Sequence, residues 1–171
     1  MASKNQSVDE QTELARLERA TSLSREAYYA VALQCRRLQS EEPEDAYFLF
    51  RKWMDFQFLI VALWRLRTST LIAAKFAISP NEIGNAIQKF DQTLPDLRKM
   101  RNVAEHIDDY AVESTRRKHL PTPRQLLECG TFDGTLFQWL GSSLDTKVAL
   151  LAAGELWEAV RNFSIQISQQ D

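Results

Sequence analysis

The sequence predicts an all-α fold, an up-and-down bundle of about five helices with a small β-hairpin inserted near residues 126–140. Three observations predict it. Apolar residues recur three and four apart through most of the 171 residues, the period of a helix with one buried face. Only five glycines occur where average usage gives about 12, too few for a turn-rich β fold. A lone Asp-Gly pair, Asp133 and Gly134, stands between two short apolar runs, a strong short-range hairpin signal. A chain of this length makes one ordinary domain, with ends that fray, and no internal repeat or long linker divides it.

The first helix is expected from about Val8 to Gln39, with Tyr28, Val31, Cys35 and Leu38 on one stripe. The segment Glu41 to Asp45 ends it, because Pro43 cannot continue a helix interior. A second helix runs from about Ala46 to Ala77 and carries Phe48, Phe50, Trp53, Phe56, Phe58 and Trp64. It is apolar nearly all round, as a central helix packed on several sides is, and its aromatics are expected in the core. The most apolar run, Phe56 to Trp64, is flanked by charges and too short to span a bilayer. Ser79 as cap, Pro80 at the first position and Glu82 closing a capping box start a third helix that runs to about Asp91. Thr93 is the expected cap of a fourth, with Pro95 in its first turn and Leu97, Met100, Ala104, Ile107 and Ala111 on its apolar face. Thr115 to Gln125 reads as a basic loop. The hairpin pairs Leu126–Phe132 with Thr135–Leu140, and Ser142 to Asp145 caps a last helix with Val148, Ala152, Leu156, Val160, Phe163 and Ile167 on its apolar face.

A formal charge of −2 gives no global positive field, so non-specific coating of DNA is excluded and nucleic-acid binding would need a local patch. Cys35 and Cys129 share no metal-ligand spacing and are expected as reduced thiols. Two histidines without such spacing argue against zinc, and no Gly-rich strand-to-helix turn suggests a phosphate loop. No cofactor, no metal and no membrane partner are expected. The start of the chain lacks the apolar core of a secretory signal, so a cytoplasmic protein is expected.

The chemically suggestive segment is Leu97 to Tyr110, where one helix carries Arg101, Asn102, Glu105, His106, Asp108 and Asp109. Placing residues about 100° apart puts Asn102, His106 and Asp109 opposite the apolar stripe, while Arg101 shares another edge with Arg98, Glu105 and Asp108. Arg101 and His106 then diverge by roughly 140°, so one helix alone does not aim both at one atom. An exposed Arg101–Glu105 pair at i and i+4 explains this face without function.

Arg101-Asn102-Val103-Ala104-Glu105-His106 resembles the R-x4-6-H motif of the HEPN domains (higher eukaryotes and prokaryotes nucleotide-binding), in which the Arg is often followed by a polar residue and the motif sits on a helix of an all-helical bundle. The resemblance implies a metal-independent endoribonuclease of a toxin or defence type. It implies a homodimer in which the motif helices of two protomers share one cleft, an RNA substrate and an antitoxin-like protein partner. Its implied catalytic residues are Arg101, His106 and Asn102: His106 moves a proton, Arg101 stabilises phosphoryl charge, and Asn102 orients the phosphate or the imidazole. Attack by a ribose 2′-hydroxyl restricts such chemistry to RNA. Here His106 is followed by Ile107, Asp108, Asp109 and Tyr110, a departure from the H-x-Y of one toxin branch. Glu105, Asp108 and Asp109 make the helix locally acidic. Arg116, Arg117, Lys118 and Arg124, with His119 among them, are the candidate RNA-binding compensation. A second reading stays open: a non-catalytic HEPN-like scaffold, or a module that binds a nucleotide or a partner protein.

Overall fold

The computed structural model describes residues 2–46, 50–76, 80–106 and 130–168. Among them stand five α-helices, α1 (Ala2–Gln39), α2 (Phe50–Lys75), α3 (Pro80–Thr93), α4 (Leu97–Glu105) and α5 (Thr146–Ser168). A 3-10 turn (Pro43–Ala46) follows α1, and three short strands, β1 (Thr131–Phe132), β2 (Leu136–Trp139) and β3 (Ser142–Asp145), precede α5. The fold is the expected helical bundle with a small β insertion. Ser79, Cys129 and the basic segment 115–125 lie outside the described residues.

The hydrophobic effect places α2 at the centre. Phe56, Leu59, Ile60, Leu63 and Leu66 are fully buried, and α2 packs against α1, α3, α4 and α5. By length and composition alone α2 could cross a membrane, although its most apolar stretch is half buried inside the fold. α1 crosses it antiparallel. The Ser24 and Ser69 hydroxyls meet at 2.9 Å, and Arg37 donates its Nε–H to Asp55 at 2.7 Å.

The connection from α1 to α2 is built on cations that cap the end of α1. Arg51 holds Asp45 with a two-pronged fork (2.7 and 2.5 Å), donates to the Arg37 and Ser40 carbonyls (3.0 and 2.8 Å) and reaches Asp55 at 3.2 Å. Lys52 donates to the Leu38 carbonyl at 2.6 Å and to the Ser40 carbonyl. The last carbonyls of a helix lack intrahelical partners and carry partial negative charge, so two cations there satisfy both needs.

The three strands form an antiparallel sheet in the order β1-β2-β3. The expected hairpin is present, with Thr131 opposite Gln138 and Phe132 opposite Phe137. That register centres its two-residue turn on Gly134 and Thr135, one residue later than the Asp133–Gly134 expected. The cause is local: Asp133 accepts the N–H groups of Thr135 and Leu136 (2.9 and 2.7 Å), and Gly134 supplies the positive φ of 101°. Those two N–H groups hold the Asp133 carboxyl below the usual carboxylate range. The segment Ser142–Asp145 is a third strand as well as a cap, since its last residue accepts the N–H groups of Lys147 and Val148 (2.8 and 3.0 Å) at the start of α5. The sheet seats its aromatics on α2, with the Phe56 and Phe137 rings 3.7 Å apart and nearly parallel and Trp53 edge-on to Trp139.

Three further expectations shift. Thr93 ends α3 and donates to the Lys89 carbonyl at 2.8 Å; Asp96 is the N-cap residue of α4, without a side-chain capping bond. Pro95 disfavours helical geometry at Leu94 and so separates the two helices there. On α5 the buried stripe runs through Ala149, Ala152, Ala153, Leu156, Trp157, Val160 and Phe163, and Val148 falls off it, exposed. Phe50 and Phe58 of α2 are exposed rather than core, because no described element packs on that side of α2. Cys35 is buried and donates to the Thr146 carbonyl; burial pushes its thiol up to about 11.

Gly84 lies in the exposed middle of α3, and a Cβ built there meets nothing. Gly84→Ala is expected to raise unfolding free energy by about 0.5–1 kcal/mol, since alanine loses less backbone freedom on folding. Urea denaturation checks it.

Candidate functional site

α4 carries the motif. Its apolar edge, Leu97, Met100 and Val103, is buried, which turns Arg101, Asn102, Glu105 and His106 to its other sides. The described helix stops at Glu105. His106 is its C-cap residue, with φ −125°, and its N–H closes the last turn on the Asn102 carbonyl at 3.0 Å. The imidazole side chain is exposed. Ile107, Asp108, Asp109, Tyr110 and Ala111 lie outside the described residues, as do Arg116, Arg117, Lys118, His119 and Arg124.

Arg101 is held from three sides. It pairs with Glu105 one turn on, donates from Nη1 to the Asn102 Oδ1 at 3.1 Å, and lies over the Trp64 ring with 5.5 Å between its central carbon and the ring centroid. Its Nε–H is buried with no hydrogen-bond partner among the described residues. The ion pair was legible from the spacing. The Trp64 contact was not, because it joins two helices and leaves no mark on either sequence; by its sequence alone the aromatic is a core residue.

Trp64 holds a second guanidinium, Arg67, 5.2 Å from its ring centroid. Asp91 of α3 fixes that arginine through two bonds of 2.6 Å and holds it further above the usual arginine value. Indole faces attract cations through the ring quadrupole, so Trp64 is a fixed platform for both. Beside it a groove of about 620 Å³ opens between α1, α2 and α4. Its walls are apolar (Leu23, Ala30, Phe58, Ile72) with Arg65, Arg101, Glu26 and Glu105 at their edges. Gln34 Oε1, also in the wall, is buried and without a partner among the described residues.

The structure thus brings Arg101 and Asn102 into contact and presents His106 to solvent at the helix end. Comparison of the chain with protein-family models, curated proteins and solved structures finds no match, so the function rests on the chemistry of these residues.

Proposed function

We propose that the chain is a HEPN-like endoribonuclease that acts without metal as a homodimer, with Arg101 of one copy and His106 of the other at one phosphodiester. The observation that carries the reading is the placement of the motif: an exposed imidazole at the end of α4, behind a guanidinium already oriented by Trp64 and Asn102. The ribose 2′-hydroxyl gives up its proton and attacks the adjacent phosphorus. The bond to the 5′-oxygen breaks, and that oxygen takes a proton as it leaves. His106 moves protons in this sequence as general base or acid, and Arg101 meets the charge growing on the phosphoryl oxygens. The products are a 2′,3′-cyclic phosphate and a 5′-hydroxyl. Arg101 exchanges Glu105 for the phosphate on binding, and Asn102 keeps the guanidinium in plane. Arg116, Arg117, Lys118 and Arg124 offset the repulsion between Glu105 and the RNA backbone. A toxin or defence role with an antitoxin-like partner protein follows from the same resemblance.

The Arg101–Glu105 pair also favours a second reading, a scaffold in which the guanidinium is satisfied within its own helix. Incubation of RNA with the protein in EDTA separates the two. The enzyme reading expects 2′,3′-cyclic phosphate ends from wild type and a loss of about 10²-fold or more in both His106→Ala and Arg101→Ala. An inert wild type would leave the scaffold.

A further inference from the structure

The outer side of α2 carries an apolar stripe that nothing among the described residues covers. Phe50, Met54 and Phe58 are exposed by 73%, 44% and 54%, and Val61, Arg65, Thr68 and Ile72 continue the same helix face at spacings of three and four. α1 lies alongside and adds Leu23 and Leu33, both about two-fifths exposed. A row of large exposed apolar side chains is unusual on an isolated surface. They need an occupant.

We infer that the occupant is a second copy of this chain, packed α2 against α2 and α1 against α1 about a two-fold axis that passes beside Val61. The pattern is complementary to itself about that point. Reversing α2 on its own copy sets Val61 against Val61, Met54 against Thr68 and Phe50 against Ile72, and brings Arg65 beside the Phe58 ring, a favourable cation–aromatic contact. α1 obeys the same axis. Ser24 stands level with Ser69 and Arg37 with Asp55, which puts Val61 level with a point between Val31 and Ala32. Reversal about that point sets Ala30 against Leu33 and Glu26 against Arg37, an apolar pair and an opposite-charge pair. A single symmetric patch that meets itself is how two-fold dimers are made.

The size also fits. The stripe from Phe50 to Ile72 is about 33 Å long, and two helices of about 10 Å width give on the order of 650 Å² before side-chain relief is counted. Stable standard interfaces bury roughly 800 Å² per partner. Arg101 packs on Trp64, one turn from Val61, so the same axis draws the two motif helices toward one seam. That last step rests on the nuclease reading; the interface itself does not.

Cysteine cross-linking tests the axis. In a Cys129→Ser background, which leaves only the buried Cys35, Val61→Cys is expected to give a covalent dimer on mild oxidation. Met54→Cys alone is expected to give none, since its two copies stand about 20 Å apart, yet it should link to Thr68→Cys when the two are mixed. Phe58→Glu, at an exposed position, is expected to sediment as a monomer with unchanged helical circular dichroism. A wild type that is monomeric at micromolar concentration, free or captured by lipid vesicles, would overturn the inference. So would Val61→Cys that links no better than Leu151→Cys on α5. Dimers that cross-link as expected but leave RNA intact retire the nuclease reading alone; cleavage by a protein whose Val61→Cys variant fails to link retires the interface alone.

Discussion

Phe56→Ala is expected to lower the unfolding free energy by about 3–5 kcal/mol, the cost of truncating a fully buried aromatic. Phe56 is inaccessible to solvent and sits where two parts of the chain meet. Its ring lies parallel to Phe137 at 3.7 Å and edge-on to Trp139 at 6.4 Å, with Trp53 at 6.0 Å. Truncation opens a cavity between α2 and the sheet that none of these rings can fill without leaving its own contacts. Phe132 stacks on Phe137 in turn, so the sheet as a whole loosens. Phe58→Ala, two residues on but exposed, is expected to cost under about 0.5 kcal/mol in the monomer. Chemical denaturation of the two variants side by side, with the midpoint and slope both read, checks the contrast.

Arg51→Met is expected to cost on the order of 3 kcal/mol, the lower end for removing one partner of a buried ion pair. Arg37 still holds one oxygen of the buried Asp55, while the other oxygen loses its cation and α1 loses a cap. The pH dependence gives a sharper signature. In the native protein the Arg51 guanidinium, helped by the Glu42 N–H and Lys52, holds the Asp45 carboxyl well below the usual carboxylate range. A carboxyl depressed in the folded state adds stability above its unfolded value of about 4, and that stability is lost as the pH falls toward the folded value. Wild type is therefore expected to lose stability steeply below about pH 4. Arg51→Met is expected to lose less over the same interval, because Asp45 then titrates nearly as it does unfolded. Thermal melts in a pH series read the two slopes.

The helices were legible because burial writes a three-to-four period into the chain. α1 ends at the expected Gln39 but begins at Ala2, six residues before the expected Val8. α2, α3 and α5 begin or end within a few residues of the expected points that fall among the described residues. The strand Ser142–Asp145 was not legible. Only Leu144 among its four residues is buried, so its polarity resembles a helix cap, and Asp145 is indeed both. The Thr93 cap failed for a reason of competition: its hydroxyl donates back to α3 at Lys89, and Pro95 sets the break. In the site, the Arg101–Glu105 pair follows from local spacing, one turn apart on the same helix. Trp64 beneath Arg101 depends on how α2 meets α4. The open face of α2 was hidden by its composition, because a helix that is apolar all round does not announce which side is left without a neighbour.

The most direct test of a site shared between two copies is complementation. Arg101→Ala and His106→Ala proteins, each inactive, are mixed under conditions that exchange subunits and assayed on RNA in EDTA. A composite site gives each mixed dimer one intact pair, Arg101 from one subunit and His106 from the other, so activity is expected to return to about a quarter of wild type. Mixed dimers that form but cleave nothing, beside a wild type that does cleave, would contradict the shared site.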